Sequence, residues 1–315
     1  MLHNRFSKNS RGVVLVLVLV LFMALSGLTL MTIEVSSRGA VEASKVRSEY
    51  EAHFMAEEAL FVVYDRIMDD QTLFSDIPRE DWIKEWTDGG VTIYMSPCNA
   101  KINLNTLVQM QNPKKILTIM QRVLPGGVDV KRLVGSLGIW TGKKVNSTLD
   151  RLDRFFYASQ YPSYAPTGRD LKTPEEISLV NGWSAFDRDW INETFTVWGE
   201  GRININFASR DVLLAFFPKL GKNVESIVHW RNTRGFTDLS QILTVAGIES
   251  DSELYRNMLE YMTVRSDLIE AIVVAEVSGC RVVKRYIVSK PGSFEVQQPS
   301  LIFQNDVSVT FSQDE

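Results

Sequence analysis

Few side chains in this 315-residue sequence are soft metal ligands. It has two cysteines, Cys98 and Cys280, and three histidines, a supply that argues against a zinc site or an iron–sulfur cluster. His53 and His229 fall in helical patterns, where a histidine is ordinarily a surface or packing residue. The sequence contains no nucleophile elbow, HExxH motif, Walker loop or paired GxGxxG. We therefore expect a protein that is not an enzyme and requires no cofactor.

One short motif occurs twice. KINLNT at 101–106 recurs as RININF at 202–207. Four asparagines hold equivalent places in the two copies: Asn103, Asn105, Asn204 and Asn206. Each copy predicts a short extended segment followed by apolar residues at helical spacing, with Gly and Pro breaks between helices. Residues 106–264 are therefore expected to form a mostly helical insertion of two small units, about 106–200 and 201–264.

The composition sets the class of protein. Hydrophobic residues make up 45% of the chain and charged residues 23%, which is enough to bury a sizeable core, and the length predicts about two domains. The formal net charge of −4 provides no global basic surface, so nucleic acid is not an expected partner.

The N-terminal part carries a membrane signal. Residues 13–33 include no charge, and a helix of that length spans roughly 30 Å, the thickness of a bilayer core. Arg5, Lys8 and Arg11 precede the span and favour a cytoplasmic N-terminus, although basic residues also follow it. The apolar stretch is too long for an ordinary secretory signal, and the first cysteine after it is Cys98, too far away for a lipoprotein signal. A plain anchor that keeps residues 1–12 is the remaining simple interpretation.

Helical periodicity continues beyond the span. Phe54, Phe61, Tyr64 and Met68 recur at spacings of seven, three and four, and no Pro or Gly interrupts residues 40–77. We therefore expect one helix over 13–70 whose outer half is amphipathic. The aromatic stripe is interpreted as the face that packs on the core.

The remaining segments predict one sheet. Residues 91–95 alternate as a half-buried strand does, and β-branched runs at 272–277 and 282–288 flank a hairpin turn. Residues 301–303 and 307–311 supply the last strands. The predicted fold class is α+β: a long N-terminal helix packed on an antiparallel sheet drawn from 71–105 and 265–315, with the helical insertion between these two parts.

The start of the span resembles the leader of type IV pilins and pseudopilins, because Gly12 separates a basic leader from the apolar helix at Val13. The resemblance implies that a prepilin peptidase removes residues 1–12 by cutting between Gly12 and Val13, and that the new N-terminus is methylated. Most pilins carry a glutamate at the fifth mature position, where this chain has Leu17. A carboxylate in a membrane needs a partner, and a subunit at the filament tip has no subunit above it to supply one. Leu17 therefore indicates a tip subunit.

The order of these features over nearly the whole chain resembles the K-type minor pseudopilin of the bacterial type II secretion system. The resemblance implies a pilin-like fold with the insertion on top of the sheet. It also implies a single-pass inner-membrane protein whose bulk is periplasmic, and which starts and caps a pseudopilus that drives proteins through the outer membrane. The implied partners are I- and J-type minor pseudopilins, the pseudopilus, the inner-membrane assembly platform and the prepilin peptidase. Calcium is a further implied ligand, for which loops at 187–189, 192–193 and Asp306 offer oxygens but define no ligand set.

Three alternatives stay open on the sequence. The chain also fits a minor pilin of a type IV pilus. Residues 202–248 resemble a helix-hairpin-helix DNA-binding module, which would make a membrane-anchored competence-like protein, but its hairpin at 218–222 has one glycine of the usual pair and acidic residues interleave with the basic ones. Cys98 and Cys280 either form a disulfide across the insertion or remain two buried thiols.

Overall fold

A computed structural model describes residues 9–70, 72, 74–143, 147–291 and 298–311. The N-terminal helix α1 (Asn9–Met68) is 60 residues long. Five strands, numbered in chain order along the whole protein, are β1 (Trp86–Asp88), β2 (Val91–Pro97), β7 (Leu268–Val277), β8 (Cys280–Ser289) and β9 (Ser300–Phe311). They form one antiparallel sheet in the order β1-β2-β7-β8-β9. The predicted helix and sheet are therefore both present, and β9 is one continuous strand.

The hairpins of the sheet have short turns of a defined kind. Asp88 pairs with Val91 across Gly89 and Gly90, and both glycines have positive φ. Val277 pairs with Cys280 across Ser278 and Gly279, whose φ angles are 46° and 80°. Positive φ at both central positions is the backbone of the type I′ turn, whose twist matches that of the adjoining strands.

Helix α1 packs on the sheet through small side chains. Its buried apolar residues are Ala52, Ala56, Ala59, Val63 and Ile67. These residues recur at helical spacing, and alanines allow the helix axis to approach the sheet closely. Tyr286 of β8 donates its hydroxyl to the carbonyl oxygen of Ala56 at 2.8 Å, which fixes the helix on the sheet.

The aromatic stripe does not form this face, so that part of the sequence prediction was wrong. Phe61 is 69% exposed and Phe54 is 50% exposed, as is Met68, while Tyr64 is only partly buried. The helix has two apolar faces, and hydrophobic periodicity does not distinguish the one that meets the sheet. The sheet contributes larger side chains to this core, among them Ile93, Val273 and Val282, and the small residues of the helix pack against them.

The block between β2 and β7 is mostly helical and has its own core. The sheet strand β2 ends at Pro97, so residues 102–105 lie in this block and not in the sheet region to which the sequence prediction assigned them. The physical reason is that Ile102 and Leu104 are buried among the side chains of the helical block. The elements in chain order are β3 (Ile102–Asn103), α2 (Leu104–Leu107), α3 (Pro113–Val123), α4 (Val130–Trp140), α5 (Ser147–Ala158), a 3₁₀ helix (Pro174–Leu179), α6 (Arg188–Thr194), β4 (Phe195–Thr196), β5 (Ile203–Asn204), α7 (Arg210–Phe216), a 3₁₀ segment (Pro218–Asn223), α8 (Val224–Thr233), α9 (Gln241–Val245), α10 (Glu253–Tyr261) and β6 (Met262–Thr263).

The block joins the sheet at the end remote from the apolar half of α1. Lys290, just after β8, contacts Asp70 beyond the end of α1 and Asp76 in the following loop. At the opposite end of the sheet, Gly90 lies beside Met55, in the middle of the helix. A chain of charged side chains also crosses this junction, in which Arg285 contacts both Glu270 of the sheet and Glu175 of the block.

Candidate functional site

The fold leaves a long apolar surface of α1 uncovered within the part of the chain that the structure describes. Among the described residues one helix, Gly12–Met68, is long and apolar enough to cross a membrane, with a mean hydropathy of 2.9 in its most apolar window. None of that window is buried inside the protein. Gly12 and Val13 lie within the continuous helix, and residues 1–8 of the expected leader fall outside the described part of the chain. Leu17 is 66% exposed, as a lipid-facing or partner-facing side chain would be.

The apolar surface continues along the outer half of α1 on the side opposite the alanines. Tyr50, Phe54, Phe61 and Met68 are exposed at spacings of four, seven and seven. A seven-residue repeat keeps side chains on one stripe when two helices pack side by side. A contiguous exposed apolar surface of this kind marks a protein or membrane contact. These four residues define what we term the outer helix face.

Strand β9 carries further exposed apolar residues on the side of the sheet that α1 covers. Val309 pairs with Val282 and Phe311 pairs with Cys280, and both β8 residues belong to the core under α1. Since paired residues share one face of a sheet, Val309 and Phe311 point to the same side as α1, where both remain partly exposed. Lys284 of β8 links α1 to β9, since its Nζ lies 2.7 Å from Glu57 Oε1 of the helix and 3.5 Å from Asp306 Oδ1 of the strand.

The repeated asparagines form two equivalent sets of hydrogen bonds to backbone and side-chain groups remote in sequence, and we term each set an asparagine bracket. Asn105 donates Nδ2 to the carbonyl oxygens of Leu171 and Val197, both at 3.0 Å, and its Oδ1 accepts from Leu171 N at 2.9 Å. Asn103 Oδ1 accepts from Asn105 N at 2.9 Å, and its Nδ2 donates to Gly199 O at 2.7 Å.

The second copy repeats this pattern. Asn206 donates Nδ2 to Asp76 O and Phe236 O, and accepts from Phe236 N. Asn204 Oδ1 accepts from Asn206 N at 2.9 Å, and its Nδ2 donates to Ser266 Oγ. In each copy the Ile-Asn pair also forms a two-residue parallel bridge with a later segment. All four asparagines are buried and engaged, so they close the two helical units and are not free to bind a ligand.

The two cysteines are separate buried thiols, so the disulfide alternative is wrong for this structure. Cys98 follows Pro97, which pairs with Ile269, whereas Cys280 pairs with Val277. These places are eight residues apart along β7, or about 27 Å. A disulfide requires Cα atoms within about 7 Å. Burial raises the pKa of the Cys98 thiol, which keeps it protonated and unreactive.

One group of carboxylates lies within metal-binding range among the described residues: Asp70, Asp76 and Glu80. The ammonium of Lys290 already contacts Asp70 and Asp76. Glu80 Oε2 accepts from Trp82 Nε1 at 2.8 Å and from the Ile77 backbone at 3.1 Å. Burial raises the pKa of Asp76 to about 6, and Lys290 opposes that shift. Because hydrogen-bond donors already surround these oxygens, the group does not fit a calcium ion.

Two of the residues considered for calcium are also engaged, whereas Asn192 Oδ1 is buried without a hydrogen-bond partner among the described residues. Asp187 caps α6 by accepting from Asp189 N and Trp190 N, and Asp306 contacts Lys284. Calcium binding therefore stays a prediction of the family resemblance, and metal analysis of the purified protein is the measurement that checks it.

The helix-hairpin-helix residues hold the fold together. Lys219 forms an ion pair with Glu253, and Arg231 donates to the carbonyl oxygens of Ile205 and Ala208. Arg234 lies over the Trp230 ring, 4.7 Å from its centroid. Three cations of this segment are thus used within the protein, which leaves little positive charge for a phosphate backbone.

The fold and its exposed helix define a pilin-like α+β protein with a large helical insertion, as the sequence predicts. A chain of the crystal structure of the GspK-GspI-GspJ complex from the type 2 secretion system of enterotoxigenic Escherichia coli has the same fold, with a TM-score of 0.59. The match covers 86% of this chain and 99% of that chain, at 15% sequence identity. No family model matches the sequence, and no curated protein matches it. The resemblance to the K-type minor pseudopilin is therefore confirmed in the fold.

Proposed function

We propose that this chain is a K-type minor pseudopilin that assembles through α1 into the tip of a type II secretion pseudopilus. The observation that carries the proposal is a helix with two apolar faces, of which only the alanine face is covered by the sheet. Its N-terminal half and its outer helix face have no cover within the described part of the chain. The solved neighbour is a complex with GspI and GspJ, which supports partners of the same class.

The physical chemistry of α1 favours exchange between lipid and a bundle of helices. Residues 13–33 are stable in a bilayer, and leaving it exposes apolar side chains at a cost of about 25 cal/mol per Å². Packing against the helices of partner subunits removes that cost. The outer helix face continues the same stripe into the aqueous part, so one partner helix is able to cover both segments.

Two features support a place at the tip. Leu17 supplies no carboxylate for the terminal amine of a subunit above it. The helical block lies at the end of the sheet remote from the membrane span, where its bulk opposes stacking of another subunit. A subunit with both features would start a filament and not extend it. In this proposal the N-terminus is cytoplasmic before processing and the folded head is periplasmic.

The test is co-purification of the full-length chain with I- and J-type partners from detergent-solubilised membranes. We expect Phe54→Glu and Phe61→Glu to reduce recovery of the partners by at least tenfold, because each places a charge in the packed helix stripe. Tyr94→Glu is the matched control, since Tyr94 is exposed on β2 and does not belong to the core under α1. Both phenylalanines are largely exposed, so the variants should unfold at the wild-type temperature. Unchanged partner recovery with both variants would refute the proposed interface.

A further inference from the structure

A cleft of about 390 Å³ lies where the first helical unit meets the second. Helix α3 forms one wall, and the end of α7 with Pro218 forms the other. The first turns of α10 close one side through Leu254 and Asn257. Ile119 and Phe216 give the floor an apolar character, although both are buried in the core of the block. A concave apolar site at a junction between two units is the usual place for a ligand.

The rim of this cleft is positively charged, unlike the chain as a whole. Four cations line it: Lys114, Lys115, Arg122 and Lys219. The one carboxylate in the lining, Glu253, is neutralised by its ion pair with Lys219. Within the part of the chain that the structure describes, no carboxylate lies within ion-pair distance of Lys114, Lys115 or Arg122. The protein has a net charge of −4, so the local charge of the cleft is opposite in sign to that of the whole chain.

Lys115 is held in the cleft by neutral groups. Its Nζ lies 3.1 Å from the centroid of the Tyr261 ring and 3.4 Å from Asn257 Oδ1. Burial lowers the pKa of this ammonium to about 8, and the nearby Glu260 carboxylate opposes that shift. A cation that has lost part of its hydration, and whose direct contacts are a ring and an amide, gains more from an arriving anion than a fully solvated lysine does.

We propose that the cleft binds an acidic peptide segment of another protein, with an apolar side chain between its carboxylates. Lys115 and Arg122 are seven residues apart on one face of α3, which separates them by about 10 Å. That distance places two carboxylates at the ends of the cleft and the apolar side chain over the floor between them. Glu253 at the rim and the narrow apolar floor disfavour a nucleic-acid backbone. This binding does not depend on assembly through α1.

The experiment measures anisotropy of a fluorescent peptide with two glutamates on each side of a central phenylalanine, titrated with the full-length protein in detergent. We expect binding that weakens as salt rises, and a roughly fivefold loss of affinity for each of Lys114→Gln and Arg122→Gln. Lys131→Gln is the matched control because Lys131 is an exposed lysine on the neighbouring helix α4. It should bind the peptide as the wild type does.

Two further arms identify the ligand chemistry. A peptide with glutamines in place of the glutamates should bind at least tenfold more weakly, and short duplex DNA should fail to displace the acidic peptide. Equal binding of the acidic peptide by wild type, Lys114→Gln and Arg122→Gln would overturn the proposal. Displacement by DNA at lower concentration than by unlabelled peptide would also overturn it, in favour of a nucleic-acid site. The charge variants lie on the surface, so their unfolding temperatures should match that of the wild type.

Discussion

Replacing Asn206 by alanine is expected to lower the free energy of unfolding by about 3 kcal/mol. The Asn206 amide makes three side-chain hydrogen bonds in a fully buried place: to Asp76 O at 2.7 Å, to Phe236 O at 2.8 Å and from Phe236 N at 2.8 Å. Each buried hydrogen bond contributes about 1 kcal/mol net, and alanine leaves all three backbone partners without a substitute. For a chain of this size the loss corresponds to a fall of about 6–12 °C in the unfolding temperature.

The assay is urea unfolding followed by tryptophan fluorescence. Trp230 donates its indole N–H to Gly235 O at 3.0 Å, directly beside Phe236, so its emission reports on this bracket. Asn105→Ala removes the equivalent bracket of the first unit and should cost a similar amount. Asn232→Ala is the control, because Asn232 is exposed on α8 and should change stability by less than about 0.5 kcal/mol.

The result that would refute this reasoning is a loss for Asn206→Ala no larger than that for Asn232→Ala. Asn206→Asp separates a structural bracket from a ligand site. It keeps the acceptor for Phe236 N but loses both donated bonds and buries a charge. We expect it to be at least as destabilising as alanine, whereas a residue that binds a cation would tolerate aspartate.

Three further predictions concern the buried charge, the N-terminus and the thiols. Lys290→Met leaves the Asp76 carboxylate without its counterion and should cost about 3 kcal/mol at pH 8. The cost should be smaller at pH 5, because the Asp76 carboxyl, whose folded pKa lies above its ordinary value, becomes protonated there. An equal shift of the urea midpoint at both pH values would contradict this expectation. Intact-mass measurement should find residues 1–12 absent from the wild type and present in Gly12→Leu, whereas a wild type that keeps them would exclude processing at this glycine. Unfolding without reductant should expose two maleimide-reactive thiols, Cys98 and Cys280, and the absence of labelling would indicate a disulfide.

The sign of the pH effect in the wild type follows from the same carboxyl. The Asp76 pKa rises from an ordinary 3.8 to about 6 in the folded chain, so the folded state binds the proton more tightly than the unfolded state. Its contribution to stability is therefore complete below about pH 3.8 and declines as the pH rises to about 6. Above that range the contribution stays constant, because both states are then ionised.

Local patterns were sufficient to predict much of the architecture. The uncharged stretch 13–33 and the helical period after it predict one long helix, and α1 ends at Met68, within two residues of the expected end. The alternation in 91–95 and the β-branched runs around Ser278 predict the strands and their hairpin, because side-chain period and turn chemistry are local properties. The repeat of KINLNT predicts two similar units.

The exposed face of α1 was harder to predict. The sequence shows that Phe54 and Phe61 share a stripe, but assigns that stripe to the core because apolar faces are usually buried. The signal that identifies the packed face is the row of alanines at 52, 56 and 59, since small residues allow a helix to lie close to a sheet. The cleft beside Lys115 gave no sequence signal, because its walls come from segments about 100 residues apart.

The sequence by itself determined the membrane-length helix, the strand segments and the asparagine repeat, since each depends on the spacing of neighbouring residues. Only the tertiary structure decided which face of α1 the sheet covers, that Cys98 and Cys280 lie at opposite ends of the sheet, and that Lys290 contacts Asp70 and Asp76. These outcomes depend on distances between segments remote in sequence. Such distances are set by how the layers pack, and no local pattern encodes them.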